Sequence, residues 1–170
     1  MKKQWTLALI ALVGGWVSLS AISLKAETQS EPVLSTAKAT QVLPVVQVYK
    51  SASCGCCKVW IKHLEENGFS VQAQDVDNLL PYKEQAKLGA GMGSCHTAFV
   101  DGYAIEGHVP AWDIKRLLLE KPPISGLTVP RMPIGSPGME VAGRPADAYQ
   151  VLSYKEGETV GVFADYPAGK

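Results

Sequence analysis

The sequence predicts an α/β domain in which a small mixed sheet is flanked by helices and extended by a C-terminal β-hairpin. Short β-branched runs alternate with segments of helical periodicity, and Gly or Pro stands near the predicted ends of these segments. Two turn signals each separate a pair of strand-like runs, which is typical of hairpins. A chain of 170 residues, 46% hydrophobic, is long enough to bury one sizeable core.

The first half of the predicted domain contains a strand, a helix and a second strand. Val45–Tyr49 is a short β-branched run and is predicted to be a strand. The helix is expected from about Cys54 to Asn67, with Ser53 as its N-cap. Phe69–Val76 alternates in part and is predicted to be the next strand.

The middle of the domain is predicted to contain two more helices around a tight hairpin. Leu80–Leu88 is expected to be helical, since a proline is tolerated in its first turn. Asp101-Gly102 between Thr97–Val100 and Tyr103–Glu106 is a strong hairpin signal. Pro110 opens a third helix. Trp60 and Trp112 fall on helix faces and are expected in the core.

The last part of the chain is predicted to be irregular before it ends in a second hairpin. Residues 124–147 are rich in Pro and Gly, and Ala148–Tyr154 and Thr159–Asp165 are predicted to be strands. The core order is thus strand, helix, strand, helix, hairpin, helix. This order favours a thioredoxin-like layer of a small mixed sheet with helices on its faces.

The N-terminal residues indicate export. Residues 1–26 carry two lysines near their start and then an uncharged apolar run, as in a secretory signal peptide cleaved after Ala26 or, alternatively, after Ala21. An uncleaved membrane anchor is the alternative, because the run approaches a membrane span in length. Residues 27–44 are interpreted as a flexible leader, and residues 45–165 as the thioredoxin-like metal-binding domain.

The charge balance argues against two classes of partner. Removing residues 1–26 removes three lysines and no acidic residue, which leaves the mature chain with a net charge of about −3. A mildly acidic domain has no electrostatic reason to bind nucleic acid or an anionic membrane. We therefore expect no nucleic-acid partner and no stable membrane insertion after cleavage of the signal.

Three of the four cysteines lie within four residues. Cys54 and Cys57 form a C-x-x-C pair, and Cys56 adds a third sulfur between them. At a helix start, residues 54 and 57 share one face and unpaired amides favour a thiolate. This pattern suits a redox pair, Cys54 and Cys57, and it also suits a soft metal; the adjacent third sulfur favours the metal. Structural disulfides, within the cluster or to Cys95, are the alternative.

Other soft donors occur later in the chain. In a thioredoxin-like layout, Cys95 precedes the third strand and faces the start of the first helix, so it is expected to reach the cluster. His96 and His108 are candidate ligands, although each also suits a loop or helix-entrance residue. His63 is expected to be structural. Met132 is a candidate thioether ligand because an exposed loop has little use for it in packing, and thioethers select Cu(I). Met92 and Met139 are better explained as ordinary packing.

Several spaced motifs together carry a family resemblance. They are Cys54-Gly-Cys-Cys57, Ser94-Cys-His-Thr97, Glu106-Gly-His-Val-Pro110, Gly126-Leu-Thr-Val-Pro130 and Met132-Pro-Ile-Gly-Ser-Pro-Gly-Met139. Over about residues 45–165 the sequence closely resembles the CopG-type periplasmic metal-binding proteins of bacterial copper-resistance systems. Unlike ordinary thioredoxins, the chain has no proline just before the third strand, which puts general disulfide exchange in doubt.

The resemblance implies a thioredoxin-like domain that handles copper in the Gram-negative periplasm. It implies that Cys54, Cys56 and Cys57, with Cys95, form a copper and redox centre. His96, His108 and Met132 fall in the other recurrent segments of the family. Other periplasmic copper-handling proteins are the partners this implies.

The leading hypothesis is a periplasmic copper-resistance protein that binds Cu(I) through its cysteine cluster. The same thiols would couple Cu(II)/Cu(I) to a dithiol/disulfide, as in a copper oxidoreductase. The alternatives are a metal-independent thiol–disulfide oxidoreductase, an internally bridged structural module and a zinc site.

Overall fold

The computed structural model describes residues 42–169, so the predicted signal peptide and most of the predicted leader lie outside the described residues. The described chain forms three helices, which are α1 (Gly55–Glu66), α2 (Leu80–Gln85) and α3 (Ala111–Glu120). Its seven strands are β1 (Val46–Lys50), β2 (Val71–Asp75), β3 (His96–Val100), β4 (Tyr103–Glu106), β5 (Gly126–Thr128), β6 (Tyr149–Lys155) and β7 (Glu158–Tyr166).

These strands build one open mixed sheet in the order β2-β1-β3-β4-β5-β6-β7. The pairs β1–β2 and β4–β5 are parallel, and the other four pairs are antiparallel. The predicted α/β class and mixed sheet are confirmed. Both predicted hairpins are present, as β3–β4 and β6–β7, and the second continues the same sheet through β5.

The strand directions bring four chain segments to one end of the sheet. The last residue of β1, Lys50, is paired with the first residue of β3, His96. Glu106 at the end of β4 lies opposite Thr97 and beside Thr128, the last residue of β5. The chain therefore leaves β1, β4 and β5 and enters β3 at the same end, and the motif-bearing loops follow or precede these points.

The hydrophobic core joins α1 and α3 to the sheet. Alternate residues of β1, Val46 and Val48, are fully buried, as the period-two pattern of a half-buried strand requires. Their cluster includes Trp60 and Leu64 from α1 and Ile114 from α3. The Trp60 indole nitrogen donates to the carbonyl of Val109 at 2.9 Å, so its polar atom is satisfied in the core.

Three local expectations are wrong. Ser53 does not cap α1; Cys54 is the N-cap residue, and the Ser53 hydroxyl lies 3.0 Å from that of Ser51. Helix α2 ends three residues earlier than predicted. Trp112 is 73% exposed, because it lies on the face of α3 opposite to Ile114.

Strand β5 lies inside the segment predicted to be irregular. It has three residues, too few to show a periodicity, and it begins at Gly126. A Cβ atom at Gly126 would lie 2.0 Å from the carbonyl oxygen of Ala104 in β4. Glycine is therefore what allows β5 to approach β4 and connect the two halves of the sheet.

After β5 the Pro/Gly-rich segment packs against the first turns of α1. Gly138 has a φ of +86°, and a Cβ there would lie 2.8 Å from both the Cys56 carbonyl oxygen and the Trp60 amide nitrogen. Gly138 lies inside a tight turn, since the Met139 amide donates to the Ser136 carbonyl at 2.8 Å. This segment thereby covers the helix that carries the cysteines.

Within residues 42–169, the helices are too short and too polar for any of them to cross a bilayer.

The packing of the Pro/Gly-rich segment on α1 is testable with two alanine variants. Gly138 and Gly143 both have positive φ, but nothing lies within 4 Å of a Cβ at Gly143. Both variants incur the left-handed backbone penalty of about 1 kcal/mol. Gly138→Ala also forces atoms apart, so we expect its free energy of unfolding to fall below that of Gly143→Ala by about 1–3 kcal/mol. Urea unfolding of both variants in one redox state measures this difference, and equal losses would contradict the contact.

Candidate metal centre

The four cysteine sulfurs converge at the end of the sheet where β1 leaves and β3 begins. Cys54, Cys56 and Cys57 stand at the start of α1, and Cys95 immediately precedes β3. All four sulfurs lie within 4.8 Å of one another. The β1–β3 pairing accounts for this, because it brings the loop after β1 next to the loop before β3. Cys95 therefore reaches the other three cysteines, as expected.

One disulfide and two free thiols make up this cluster. Cys54 and Cys57 are bridged, with their Cα atoms 5.4 Å apart, and Cys56 and Cys95 are free. The Cys56 sulfur lies 3.5 Å from that of Cys54 and 3.9 Å from that of Cys95. The Cys95 sulfur lies 3.4 Å from that of Cys57. Cys57 is fully buried, whereas the other three are partly exposed.

Two histidines face Cys95. The Cys95 sulfur lies 3.1 Å from His108 Nε2 and 3.3 Å from His96 Nδ1. Cys95, His96 and His108 offer ligand atoms within 4.8 Å of one another, so Cys95 belongs both to this set and to the four-cysteine set. Soft thiolate and imidazole donors therefore stand side by side.

The orientation of His108 is determined by a backbone carbonyl in the Pro/Gly-rich segment. His108 Nδ1 lies 2.8 Å from the carbonyl oxygen of Pro137. A carbonyl oxygen only accepts hydrogen bonds, so Nδ1 carries the proton and the Nε2 lone pair is directed at Cys95. This is the arrangement in which metal-binding histidines are commonly held by an outer partner.

His96 is buried between two aromatic rings. Its ring centroid lies 4.2 Å from that of Trp60 and 5.1 Å from that of His108. Among the described residues, its Nε2 atom has no hydrogen-bond partner although it is buried. Buried polar atoms without partners are rare in proteins. The nitrogen that faces the cysteines is Nδ1, 3.3 Å from the Cys95 sulfur, so Nδ1 is the atom positioned to serve as a ligand.

A buried ion pair lies beneath the loop that carries Cys95. The Glu106 carboxylate is fully buried and pairs with Lys83 of α2. It also accepts hydrogen bonds from the Ser94 amide at 2.6 Å and the Thr97 hydroxyl at 2.7 Å. Lys83 donates in turn to the Ser94 carbonyl at 3.1 Å. The residue before Cys95 is therefore held at both of its backbone polar groups.

Sequence reasoning missed these supporting groups. Glu106 begins the Glu106-Gly-His-Val-Pro110 motif, and a carboxylate in an otherwise apolar strand is a signal that could have identified it as a buried, functional group. Lys83 carries no comparable signal, because it stands among other polar residues of α2. The Pro137 carbonyl is a backbone atom, and its role depends on where the segment folds.

Burial controls the protonation of this cluster. Burial, followed by the neighbouring Cys56 thiol, raises the pKa of Cys95 to about 12. Burial lowers the pKa of His108 and holds the pKa of His96 well below its ordinary value. The histidines are therefore neutral and able to ligate at neutral pH, and a soft cation would have to displace the Cys95 proton.

The donor set fits a soft metal ion. Four thiolates around one tetrahedral ion at about 2.3 Å stand roughly 3.8 Å apart. The Cys56–Cys95 and Cys57–Cys95 separations of 3.9 and 3.4 Å are close to this value. Thiolates and imidazoles suit Cu(I) and zinc, whereas hard ions prefer oxygen. Use of all four sulfurs requires that the Cys54–Cys57 bridge be reduced.

Met132 lies in a different environment from the cysteines. It is 47% exposed and lines a cavity of about 670 Å³, together with Arg131, Tyr149 and Asp165 among others. Met92 is buried in a small cluster with Ala86 and Tyr154, as expected for ordinary packing.

His63 has the structural role expected for it. Its Nε2 atom accepts a hydrogen bond from the Ala111 amide at 3.1 Å, at the start of α3. Such amides have no partner within their own helix, so this contact satisfies one of them. Burial lowers the pKa of His63 as well.

The histidine pKa values predict loss of stability on mild acidification. In the unfolded chain all three imidazoles take up protons near pH 6.5, whereas the folded protein binds them at lower pH. The stability that the neutral histidines contribute is therefore fully present above about pH 6.5, and it is lost as the pH falls below that value. For metal-free protein we expect the free energy of unfolding to fall by about 1–3 kcal/mol between pH 7 and 5.5.

Urea unfolding at the two pH values measures this change, and NMR titration of the imidazole protons assigns it. His63→Gln keeps a hydrogen-bond acceptor near Ala111. It should reduce the pH dependence of the free energy of unfolding by the contribution of one histidine. Titration midpoints at or above 6.5, or stability that does not change, would contradict the prediction.

Comparison with known proteins agrees with this site. A family described as "Protein of unknown function, DUF411" matches residues 92–139, which contain Cys95, His96, His108 and Met132. A search of curated proteins finds no significant match. Two solved structures described as copper resistance protein CopG, forms 1 and 2, are 46% identical to the chain with a TM-score of 0.68. They cover 74% of this chain, which in turn covers 98% and 99% of theirs. With this identity over nearly the full length of those proteins, and with the cysteine cluster present, the chain belongs to the CopG family of copper resistance proteins.

Proposed function

We propose that this protein binds Cu(I) in the periplasm of a Gram-negative bacterium and thereby serves copper resistance. Copper is the cargo, and Cys54, Cys56, Cys57 and Cys95 are its main ligands. The observation that carries the proposal is the convergence of four sulfurs within 4.8 Å, with two imidazoles in contact with the fourth. The 46% identity to proteins described as copper resistance protein CopG supports copper as the ion.

The roles of the other ligands follow from their positions. His108, oriented by Pro137, and His96, beside Trp60, ligate next to Cys95. Met132 is an outer thioether donor on the exposed segment, so its contribution to affinity is smaller. Since Cys95 is shared by the two ligand sets, the site has room for more than one ion, because thiolate sulfur can bridge metals.

The same site couples copper redox to the dithiol/disulfide pair. Oxidation of the Cys54 and Cys57 thiolates to a disulfide releases two electrons, which reduce two Cu(II) ions to Cu(I). The Cys54–Cys57 bridge is the oxidised half of this couple. An oxidising compartment favours the disulfide, so a reductant is needed to restore the thiols. Other periplasmic copper-handling proteins are the partners proposed to exchange copper with the site.

The domain architecture is proposed to be thioredoxin-like over β1–α1–β2–α2–β3–β4–α3. The strand order β2-β1-β3-β4, with β1–β2 parallel and the next two pairs antiparallel, supports this. Residues 45–165 form the domain in this proposal, after a signal peptide at 1–26 and a leader at 27–44. The basic start and apolar run of residues 1–26 support export.

Anaerobic titration of the reduced protein with Cu(I) against a competing chelator tests copper binding. We expect tight uptake, and we expect Cys56→Ser to weaken it at least about 100-fold, since a direct ligand matters more than the 10–100-fold typical of outer partners. Met132→Leu should cost less than Cys56→Ser and more than its matched control, Met139→Leu. Absence of uptake, or uptake that survives serine at positions 54, 56 and 57, would rule the proposal out.

Zinc titration of the same reduced protein decides between the two soft ions. We expect excess Zn²⁺ to leave bound Cu(I) in place. Displacement of Cu(I) by stoichiometric zinc would favour a zinc site instead.

A metal-independent thiol–disulfide oxidoreductase is the second candidate, because the bridged C-x-x-C pair stands at a helix start. The two functions differ in their need for Cys56. An oxidoreductase reduces a protein disulfide such as insulin without metal, loses activity in Cys54→Ser and retains it in Cys56→Ser. For a copper protein we expect metal-free reduction of insulin no faster than the small-molecule dithiol control. Fast metal-free turnover that is independent of Cys56 would favour the oxidoreductase.

A further inference from the structure

Each sulfur of the Cys54–Cys57 disulfide has a free thiol beside it. The Cys56 sulfur lies 3.5 Å from that of Cys54, and the Cys95 sulfur lies 3.4 Å from that of Cys57. A disulfide is exchanged when a thiolate attacks one of its two sulfurs. A thiol therefore stands close to each end of the bridge, although attack also requires the incoming sulfur to swing into line with the S–S bond.

The two attacks have different structural consequences. Attack by Cys56 would bridge residues two apart at the start of α1, and such residues do not share a helix face. Attack by Cys95 would bridge two separate chain segments, and its sulfur needs to move about 1.4 Å closer to reach bond length. The second exchange also releases Cys54, which is partly exposed at the helix start, where a thiolate is favoured.

We propose that the disulfide migrates between Cys54–Cys57 and Cys57–Cys95. The Cys95 sulfur forms a bond to Cys57, the Cys54–Cys57 bond breaks, and its electron pair leaves on Cys54. The proton lost by Cys95 ends on Cys54, so the reaction is an isomerisation that needs no oxidant or reductant.

Migration changes which cysteines are free, but Cys56 is free in both forms. With the bridge at Cys54–Cys57, the free pair is Cys56 and Cys95, whose sulfurs are 3.9 Å apart. With the bridge at Cys57–Cys95, the free pair would be Cys54 and Cys56, whose sulfurs already lie 3.5 Å apart while Cys54 is bridged to Cys57. Cys56 thus belongs to both free pairs, an inner dithiol with Cys95 on the histidine side and an outer dithiol with Cys54 at the helix start.

This arrangement gives the third cysteine of the cluster a function. Two thiolates are sufficient soft donors to hold one Cu(I), so the oxidised protein retains a copper-binding dithiol in either form. Isomerisation exchanges the partner of Cys56 and transfers the ion between the surface and the histidine side of the site. This consequence rests on the proposed copper function, whereas the migration itself does not.

Tryptic mapping of the metal-free, oxidised protein tests the migration. Cleavage after Lys50 and Lys58 puts Cys54, Cys56 and Cys57 in one peptide, and cleavage after Lys87 and Lys115 puts Cys95 in another. After anaerobic incubation, acid quenching and alkylation, we expect a fraction of the two peptides to be linked through Cys57, with Cys54 and Cys56 alkylated. A disulfide found solely within the first peptide after prolonged incubation would overturn the proposal, as would linkage through Cys54 or Cys56.

Two serine variants separate the proposed step from its alternatives. Cys54→Ser should form Cys57–Cys95 on oxidation, because the competing bridge is removed. Cys56→Ser should still show migration, because Cys56 takes no part in the step. Failure of the first variant to bridge while its circular dichroism is native, or loss of migration in the second, would overturn the proposal.

Cu(I) titration of the oxidised protein tests the role of Cys56. We expect the oxidised wild type to bind one Cu(I) and the oxidised Cys56→Ser variant to bind it at least about tenfold more weakly. Equal binding by both would overturn the assigned role of Cys56. If the reduced protein binds Cu(I) but no migration occurs, this inference fails and the proposed function stands. If migration occurs but the reduced protein binds no copper, the proposed function fails instead.

Discussion

The antiparallel pairing of β1 with β3 is the constraint on which the site depends. The cysteines of α1 and Cys95 are about forty residues apart in sequence, and no local structure brings them together. The pairing of Lys50 with His96 does so, because it puts the exit of one strand beside the start of the other. Cys54–Cys57 then begin a helix at the same place where Cys95 ends a loop. Shifting this register by one residue would turn His96 to the other face of the sheet and away from Trp60.

Two sets of supporting contacts then fix the positions of Cys95 and His108. Lys83 and Glu106 hold the backbone on the N-terminal side of Cys95, at a cost, since burying two charges is expensive unless their hydrogen bonds are complete. Here Glu106 also accepts from Ser94 and Thr97, so its buried oxygens are satisfied. The Pro/Gly-rich segment supplies the other set, because its contact with α1 puts the Pro137 carbonyl against His108. The buried pair fixes the backbone beside Cys95, whereas apolar residues of similar size would pack there without holding the Ser94 amide.

The sequence predicted the parts of this structure that have local signals. Strand β1, helix α1 and both hairpins were predictable, because β-branched runs, helical spacing and an Asp-Gly turn each act over a few residues. Strand β5 was not predictable, since its three residues adopt strand structure by pairing with β4 on one side and β6 on the other. Trp112 was assigned to the core by spacing alone, yet its face of α3 is exposed in the described part of the chain. The cysteine and histidine candidates were identified by type, but the pairing of His108 with Pro137 depends on tertiary folding.

The number of cysteines in the cluster determines how many thiols remain free when one disulfide has formed. A C-x-x-C pair alone provides one disulfide and, when oxidised, no donor for a soft ion. Adding Cys95, from the loop before β3, provides a free sulfur that contacts the bridge and two imidazoles. Adding Cys56 provides a sulfur that neither the Cys54–Cys57 bridge nor a Cys57–Cys95 bridge consumes. In an oxidising compartment, where disulfides persist, four cysteines therefore leave two thiols free in every singly bridged state of this kind. A pair of cysteines would leave none, so a cluster of four is what the proposed binding of a soft ion by the oxidised protein requires.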